Sequence, residues 1–433
     1  MQALPLSTPE ALRQTARHAH LKGRQPDPMA RDAIKAILGP RPAEGYRRDL
    51  LIETLHRIND TCAGLPEAML VALATEMNLP MVEVFEVASF YHHFEILPVG
   101  AEPARQTVRV CTSLSCSMAG SGDLLQRLPV LLGQGVRVLP APCVGRCEQA
   151  PAVKVGQQAV AQATLDTVVQ VSEQESRHAC QAKLAPDLIV YEAYRTNGGY
   201  RLAAEVASGE RSGDAIIARM ESAGLRGLGG AGFPAGRKWR IVRAQNAPRL
   251  MAVNLDEGEP GTFKDRFYLE RDPHRFLEGM LIAAHVVGCE AIYIYLRDEY
   301  HDCRAMLTRE LAALQANPPF SLPVIELRRG AGAYVCGEES AMIESLEGKR
   351  GEPRLRPPYI AQTGLFGRPT LEHNFETLYW VRDILTHDDN WFASHGRRGR
   401  KGFRSFSVSG RVKRPGVKLA PAGITLRELI EEH

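Results

Sequence analysis

Residues 227–239 read Gly-Leu-Gly-Gly-Ala-Gly-Phe-Pro-Ala-Gly-Arg-Lys-Trp, and five of the first ten are glycine. The first six match the G-x-G-x-x-G pattern of dinucleotide-binding loops, which requires a strand directly before the glycines. Residues 214–222 instead have a helical pattern, so a standard Rossmann loop is not predicted. Adjacent glycines still let backbone N–H groups approach an anion, and Lys238 adds a positive charge. The loop therefore indicates a site for phosphate or a flat cofactor, with a tight turn between helices as the alternative.

Buried strands and helices alternate after this loop. Apolar strands are predicted at 250–253, 291–296 and 323–327, the last two separated by helical segments. This alternation favours a mostly parallel sheet in a large α/β domain.

Polar side chains follow the first of these strands. Asn254, Asp256 and Glu259 stand at its carboxyl end, which is where open α/β sheets hold ligands. Carboxylates accept ribitol or ribose hydroxyls well, so the run indicates a cofactor site, with a Mg²⁺ site or a solvated acidic turn as alternatives. A second cluster, residues 330–339, combines glycines with an aromatic and two acids. Its Cys336 is expected to be a packed thiol rather than a reactive one.

Two pairs of cysteines precede the glycine loop. Cys111 and Cys116 follow one alternating strand, and Cys143 and Cys147 follow another, so the four thiols can converge at one end of a small sheet. Four thiolates select zinc or an iron–sulfur cluster. Neither pair has the Cys-x-x-Cys spacing of zinc knuckles, and nearby Ser and Gly residues supply hydrogen-bond donors to cluster sulfides. The pattern favours iron–sulfur over zinc or four unrelated buried thiols.

Composition limits the class of protein. The chain has 433 residues, enough for roughly two to four domains, and its net charge of +3 indicates no nucleic-acid partner. No apolar run reaches the ~18–20 residues of a membrane span. Nine cysteines and the absence of a secretory signal pattern over 1–24 predict a cytoplasmic protein. His92, His93 and His274 have no ligand-spaced partners, so core or surface roles are predicted for them.

Changes in pattern divide the chain into six segments. We predict an N-terminal extension (1–45), a helical bundle (46–104), a small α/β unit with the four cysteines (105–172), a linker (173–205), the large α/β domain (206–402) and the start of a further segment (403–433).

Four stretches resemble the NADH-oxidising flavoprotein subunit of respiratory complex I and its relatives in NAD-reducing hydrogenases and NAD-dependent formate dehydrogenases. They are residues 224–239, 254–266, 332–337 and 364–370. Residues 45–172 are similar to the thioredoxin-like [2Fe–2S] subunit that accompanies that flavoprotein. The fusion of the two, with Leu228 in the glycine loop and Arg237 before Lys238, most resembles the diaphorase (beta) subunit of molybdenum- or tungsten-dependent formate dehydrogenase.

The resemblance implies a multidomain α/β fold. Its parts are an N-terminal helical bundle, a thioredoxin-like [2Fe–2S] domain, a Rossmann-like FMN- and NADH-binding domain and the start of a β-grasp-like segment. The implied cofactors are FMN, a [2Fe–2S] cluster and NAD. The implied function is hydride transfer between NAD(H) and FMN and single-electron transfer with clusters, in a complex that converts formate and NAD⁺ to CO₂ and NADH. The partner would be the alpha subunit, which carries iron–sulfur clusters and a Mo- or W-pterin.

Two other functions remain open. The chain could be the diaphorase subunit of an NAD-reducing hydrogenase or a complex I input module. A zinc-stabilised scaffold without activity is the third reading.

The resemblance also implies roles for individual residues. The FMN ligands would be Gly227, Gly229, Gly230, Lys238, Asn254, Asp256, Gly258, Tyr334, Gly337, Glu338 and Asn374. NADH would be held by Phe233, Glu259, Glu339 and Tyr359, with the two acids positioning the nicotinamide and no side chain acting as nucleophile or base. The cluster would be held by Cys111, Cys116, Cys143 and Cys147.

Several residues depart from the family pattern. Leu228 stands where complex I usually has Arg, His373 replaces an Asn beside the flavin, and Tyr359 replaces a Phe. The family also continues to a helical domain whose cysteines bind a [4Fe–4S] cluster. Because no Cys follows Cys336, its ligands are absent from these residues, and we expect a shortened version of the family chain.

Overall fold

The computed structural model describes residues 24–175 and 182–433. The first 23 residues of the predicted N-terminal extension, which include the segment searched for a secretory signal, lie outside the described residues, as do residues 176–181 of the predicted linker. Over the described ranges, no helix combines the length and apolar character that a bilayer crossing needs.

Helices and strands occupy most of these residues. The helices are Pro28–Leu38, Leu51–Cys62, Glu67–Met77, Met81–Phe90, Leu114–Met118, Ser121–Leu132, Leu165–Glu175, Tyr191–Thr196, Arg201–Ala207, Gly213–Ala223, Ala235–Arg243, Lys264–Leu269, Pro273–Val287, His301–Ala316, Glu339–Leu346, Phe375–Tyr379, Val381–Thr386, Trp391–Ser394 and Leu426–Glu432. The strands are Leu65–Pro66, Ile96–Leu97, Gln106–Cys111, Val136–Ala141, Val153–Val155, Gln158–Val160, Arg249–Leu255, Cys289–Leu296, Val324–Arg329, Thr370–Asn374, Phe403–Val408 and Gly416–Pro421.

The N-terminal helices form a bundle that packs on the large domain. Its first helix, Pro28–Leu38, begins with Asp27, whose side chain accepts a hydrogen bond from Ala30 N, and with a proline at the first helical position. This helix lies within the predicted extension, and its Ile34 is fully buried in the bundle core. The sequence pattern of the bundle favours a helix over 81–94, but the helix ends earlier, at Phe90. Tyr91 is extended instead, and its hydroxyl donates to Lys349 O of the large domain at 2.7 Å.

The small α/β unit contains a four-stranded mixed sheet. Its order is Val136–Ala141, Gln106–Cys111, Val153–Val155 and Gln158–Val160, with the first pair parallel and the other two antiparallel. The two strands that precede the cysteine pairs are predicted by their alternating sequence, and residues 152–155, which contain the third strand, alternate as well. The fourth, Gln158–Val160, is only three residues long, which is too short to produce an alternation.

The large domain is built on a four-stranded parallel sheet, as the alternation of strands and helices predicts. Its order is Thr370–Asn374, Arg249–Leu255, Cys289–Leu296 and Val324–Arg329. The helix Gly213–Ala223 precedes the glycine loop, so the departure from a standard Rossmann loop is confirmed. The sequence pattern misses the edge strand Thr370–Asn374.

The prediction of a linker over 173–205 is wrong for its second half. Residues 191–196 and 201–207 form two helices, and Tyr191, Tyr194 and Tyr200 are buried against the large domain. The hydroxyl of Tyr200 lies 2.8 Å from His274 Nδ1, and that of Tyr194 donates to Glu278 Oε2 at 2.6 Å. These buried aromatic rings stabilise the two helices, which the polar composition of the segment does not predict.

The last described segment is a hairpin followed by a helix. Phe403–Val408 pairs antiparallel with Gly416–Pro421. The helix Leu426–Glu432 begins with a capping box formed by Thr425 and Glu428.

The helix Pro273–Val287 offers a test of the packing of the large domain. A Cβ added at Gly279 would overlap the carbonyl oxygen of Leu378. We expect Gly279→Ala to lower the free energy of unfolding by ~3 kcal/mol, since backbone cannot move aside cheaply. In contrast, a Cβ at Gly122, in the helix Ser121–Leu132, has no atom within 4 Å. Gly122→Ala should be neutral or stabilising by ~0.5–1 kcal/mol. Equal thermal midpoints for the two variants would contradict the packing described here.

Candidate functional site

A cavity of about 740 Å³ opens at the carboxyl end of the large parallel sheet. Asn254 and Asn374 are register partners at the ends of neighbouring strands, and both line it. The glycine loop lies on one side and the segment 356–362 on the other. A ligand-sized cavity therefore lies at the place where open α/β sheets bind ligands.

The glycine loop is held by one hydrogen bond within its backbone and by another to the side chain of Thr377. Gly227 N donates to Phe233 O at 2.9 Å, and Leu228 N donates to Thr377 Oγ1 at 2.9 Å. Gly230 has φ of +133° and Gly232 has φ of +66°, conformations that side chains oppose. A Cβ at Gly229 would lie 3.0 Å from Asn374 Cβ, so the loop approaches the sheet closely. The turn alternative accounts for the bends but not for the open cavity beside them.

Lys238 contributes a positive charge that is already paired. Its ammonium donates to Glu372 Oε2 at 3.1 Å and to Glu372 O at 2.9 Å. Next to it, Trp239 Nε1 donates to His373 Nε2 at 2.8 Å. Burial, together with the charge of Lys238, holds the pKa of His373 well below its usual range. His373 is therefore a neutral imidazole that fixes the helix Ala235–Arg243 to the strand Thr370–Asn374.

Asn374 carries a buried donor without a partner. Thr377 donates to Asn374 Oδ1, while Asn374 Nδ2 has no hydrogen-bond partner among the described residues. A buried unpaired N–H is costly, which indicates that a ligand's acceptor satisfies it. This orphaned amide and the glycine cradle fit a flat, oxygen-rich cofactor such as FMN.

Glu338 and Glu339 have different positions despite being neighbours. Glu338 Oε2 accepts from Ser340 N and Ala341 N, both at 2.9 Å, so this carboxylate caps the helix Glu339–Leu346. Glu339 lies 3.1 Å from Arg356 in an ion pair. Burial and the nearby Glu372 raise the pKa of Glu339. Glu339 is thus the acid with a side chain available to a ligand.

Most of the predicted ligands of FMN and NADH share this one cavity, and four do not line it. The lining set contains Gly227, Gly229, Gly230, Phe233, Lys238, Asn254, Gly337, Glu338, Glu339, Tyr359 and Asn374. The four are Asp256, whose carbonyl oxygen lies close to Gly337; Gly258 and Tyr334, which lie against each other; and Glu259, which is exposed. Arg356 and Gln362 also line the cavity and were missed, because the irregular segment 352–362 carries no periodic signal.

The four predicted cluster ligands do converge. Each is at most 3% exposed, and Cys143 Sγ lies 3.3 Å from Cys147 Sγ. Backbone donors reach the sulfurs: Ala152 N lies 3.4 Å from Cys116 Sγ. Hydrogen bonds from Cys111 and Cys147 hold the pKa of Cys143 far below its usual range. A buried thiolate that receives several donors suits a metal or cluster ligand.

One loop joins the cavity to the thiols. Asn254 lines the cavity and donates to Gly337 O at 3.0 Å, while Phe263, at the other end of the loop, packs against Cys143 and Cys147. Phe263 lies nine positions after Asn254, and an extended chain spans at most roughly 3.3–3.6 Å per residue. The Cα atoms of Asn254 at the cavity and Phe263 at the thiols are therefore at most about 32 Å apart.

Two of the histidines lie in a buried polar junction. His56, His93 and Asp298 place ligand-capable atoms within 4.8 Å of one another, which the sequence spacing does not reveal. Burial lowers the pKa of both imidazoles, so they are neutral. Arg329 donates to Asp298 at 2.5 Å and Lys154 is buried nearby, and these cations oppose a metal ion. The junction joins the bundle, the small unit and the large domain, in line with the predicted core role.

Family comparisons identify the two functional domains. Residues 220–383 match the model of the Nuo51 FMN-binding domain, and residues 34–175 match that of the thioredoxin-like [2Fe–2S] ferredoxin. The chain is 42% identical over 233 residues to the mitochondrial NADH-ubiquinone oxidoreductase 51 kDa subunit of Neurospora crassa, which covers 51% of this chain and 47% of that protein. The predicted fold class and the predicted FMN and [2Fe–2S] cofactors are confirmed, and iron–sulfur is favoured over zinc.

The convergence of the thiols predicts a specific loss. Cys143→Ala should abolish the visible absorption and the iron content of the [2Fe–2S] cluster, because it removes the sulfur that both Cys111 and Cys147 contact. Cys303→Ala is the matched control, since Cys303 is equally buried but lies in the core of the large domain. Retention of cluster iron in Cys143→Ala would contradict the assignment of this ligand.

Asp256 predicts a pH dependence of stability. Burial raises its pKa to about 7, from an ordinary 3.8. Between these values the folded state holds a proton that the unfolded state has released, so this carboxyl lowers the free energy of unfolding as pH rises through the window. Asp256→Asn removes this pH effect. The free energy of unfolding of the variant should exceed that of the wild type by at least ~1 kcal/mol at pH ~8 but not at pH ~4. Urea unfolding at both pH values measures this, and a pH-independent difference would refute it.

The likeness to known proteins extends over both domains together. The chain is 31% identical over 429 residues to the NAD-reducing hydrogenase HoxS subunit alpha of Cupriavidus necator, covering 89% of this chain and 70% of that protein. A crystal structure of an NAD⁺-reducing [NiFe]-hydrogenase in the H₂-reduced state superposes with a TM-score of 0.75 at 32% identity, covering 88% of this chain and 69% of that one. The chain therefore belongs to the same family as the NAD-reducing hydrogenase HoxS subunit alpha.

Proposed function

We propose that the chain is a diaphorase module that exchanges hydride between NAD(H) and FMN and single electrons with its [2Fe–2S] cluster. The observation that carries the proposal is the shared loop, with the cavity at Asn254 and the thiols at Phe263. Bound FMN can take up two electrons as hydride and release them singly, which thiolate-held iron can accept. The match spans 47% of the length of the mitochondrial relative, and the activity of this chain is inferred from site geometry and family membership together.

The residues around the cavity have separate tasks in this proposal. Backbone N–H groups of Gly229 and Gly230, with Lys238, would hold the FMN phosphate and ring, and Asn374 Nδ2 would donate to a ring or ribityl acceptor. Asn254 is held by Gly337, so it orients the edge of the cavity. The carboxylate of Glu338 is occupied as a helix cap, which leaves its backbone as the group available to the flavin.

Aromatic rings and one acid form the proposed NADH subsite. Phe233 is 38% exposed and Tyr359 is 57% exposed, both at the cavity, where the flat rings of the dinucleotide can stack. Glu339 would accept hydrogen bonds from NADH and so position its nicotinamide. Glu259, exposed on the loop, would reach the dinucleotide from outside the cavity. No side chain acts as nucleophile or base, because the residues only align the reacting rings.

The assembly that the module serves is a second question. The formate-oxidising complex with a Mo- or W-pterin alpha subunit is favoured by Leu228 and Arg237 in the glycine loop. The likeness to a hydrogenase chain over both domains, and the likeness to the 51 kDa chain of NADH-ubiquinone oxidoreductase, favour the alternative assemblies. We therefore propose an NAD-reducing hydrogenase or complex I-type assembly as the better-supported partner, and formate dehydrogenase as the alternative.

The purified native complex distinguishes these assemblies. NADH should bleach its flavin and iron–sulfur absorption and reduce menadione, which tests the diaphorase. NAD⁺ reduction is then measured with H₂ and with formate as the electron donor. Reduction with H₂ supports the hydrogenase, reduction with formate supports formate dehydrogenase, and absence of bleaching by NADH refutes the diaphorase itself.

Tyr359 provides the sharpest variant for the NADH subsite. Tyr359→Ala should raise the KM for NADH by ~5–10-fold with little change in kcat, because a stacking contact is worth ~1 kcal/mol. Tyr359→Phe should retain the wild-type KM. The control is Leu355→Ala, in the same segment, where Leu355 is 92% exposed. Flavin content should be unchanged in all three, and a wild-type KM in Tyr359→Ala would remove this residue from the subsite.

A further inference from the structure

The cysteine cluster has an inner and an outer side. Cys143 and Cys147 contact Phe263 of the large domain, on the side of the cavity. Cys111 and Cys116 pack instead with Ala141, Val144 and Ala152 of the small unit. Cys116 lies in the short helix Leu114–Met118, whose other side chains reach the surface. The outer side of the cluster therefore lies directly beneath a surface helix.

An apolar surface covers this outer side. Leu114 is 73% exposed and Met118 is 43% exposed, one on each side of Cys116, which is 1% exposed. The tip of the hairpin adjoins them, because Ser115 Oγ lies 2.9 Å from Ser409 Oγ and a Cβ at Gly410 would lie 3.8 Å from Met118 Cε. Val412, on the same tip, is 44% exposed. Large apolar side chains grouped on the surface beside a redox centre mark a contact site rather than ordinary exposure.

The rim of this surface is positively charged. Arg411, Lys413 and Arg414 are exposed on the hairpin tip, and within the described parts of the chain none of them has a carboxylate partner. Neither the hairpin, residues 403–425, nor the segment 112–122 contains an aspartate or glutamate. An apolar centre with a cationic rim is complementary to an acidic protein with an apolar contact face.

We propose that Leu114, Met118, Val412, Arg411, Lys413 and Arg414 form the docking surface of a small acidic one-electron carrier protein, which exchanges electrons with the cluster through Cys116. This inference rests on the proposed diaphorase function and adds a partner to it. The balance is one NADH and two oxidised carriers giving NAD⁺, one proton and two carriers each reduced by one electron. Two carriers dock in succession, and no proton crosses the docking surface. Such encounters bury a small area and depend on salt.

Binding of two carriers of opposite charge tests the proposal without turnover. The soluble domain of cytochrome b5 serves as the acidic probe and cytochrome c as the basic one, both oxidised, with the immobilised native complex in surface plasmon resonance. Cytochrome b5 should bind at low salt and ~10-fold more weakly at ~0.2 M salt. Cytochrome c should not bind at this surface. Equal binding of the two, or salt-independent binding of cytochrome b5, would overturn the proposal.

Variants locate the binding. The double variant Lys413→Glu with Arg414→Glu should weaken cytochrome b5 binding by ~10-fold and slow its NADH-dependent reduction. Leu114→Ser should weaken binding at both salt concentrations, since the apolar contact is not screened. The matched control is Arg57→Glu with Arg105→Glu, two exposed positions away from the patch, which should bind as the wild type does. Unchanged binding in the first double variant would place the contact elsewhere.

A second readout separates this proposal from the diaphorase. NADH-dependent reduction of menadione, a neutral acceptor that needs no protein docking, should be equal in all of these variants. If menadione is reduced normally and cytochrome b5 does not bind, the docking surface is wrong and the diaphorase stands. If NADH reduces neither acceptor although cytochrome b5 binds, the diaphorase fails and the surface stands.

Discussion

Two buried arginines hold the cysteine loop of the small domain against the large domain, and the geometry of the whole site depends on them. Arg297 Nη2 donates to Cys143 O at 2.7 Å, and Arg266 Nε donates to Gly145 O at 3.0 Å. Both guanidinium groups are at most 4% exposed. A buried charge is tolerated only when it is paired and fully hydrogen-bonded, so neither arginine can release the loop without a large penalty. The thiols are thereby fixed relative to the cavity.

The carboxylates around these arginines complete the clamp. Arg297 pairs with Glu299 at 3.0 Å, and Arg266 pairs with Glu270 at 2.9 Å. Burial alone would lower the pKa of each guanidinium, but the neighbouring acids outweigh it and raise the pKa of both. Because the rigid fork of arginine makes several directed bonds, it sets orientation as well as distance. Under the proposed function, electron transfer would depend steeply on both, which would give a functional reason for such a costly network between the two domains.

Local patterns predict the parts of this site that local chemistry determines. The glycine loop, the strand before Asn254 and the two cysteine pairs each carry their signal within about ten residues of sequence. The helices of the predicted linker carry no such signal, because Tyr191 and Tyr200 gain their stability from His274, far away in the chain. Likewise, nothing near Glu338 in sequence reveals that its carboxylate pairs with Arg356, 18 residues further along the chain. Long-range contacts of this kind override local propensity and cannot be read from periodicity.

The departures from the family pattern alter the charge of the cavity more than its shape. Leu228 packs partly buried against the large core, so the glycine loop presents no guanidinium where complex I usually has one. The charge of Lys238 is shared with Glu372, and Arg356 is paired with Glu338 and Glu339. His373 is neutral and bound to Trp239. Arg237 also lines the cavity and lies over the ring of Phe233, so it is the cationic side chain there without an ion pair among the described residues. Under the proposed function, backbone and amide donors would therefore supply much of the remaining contact to FMN.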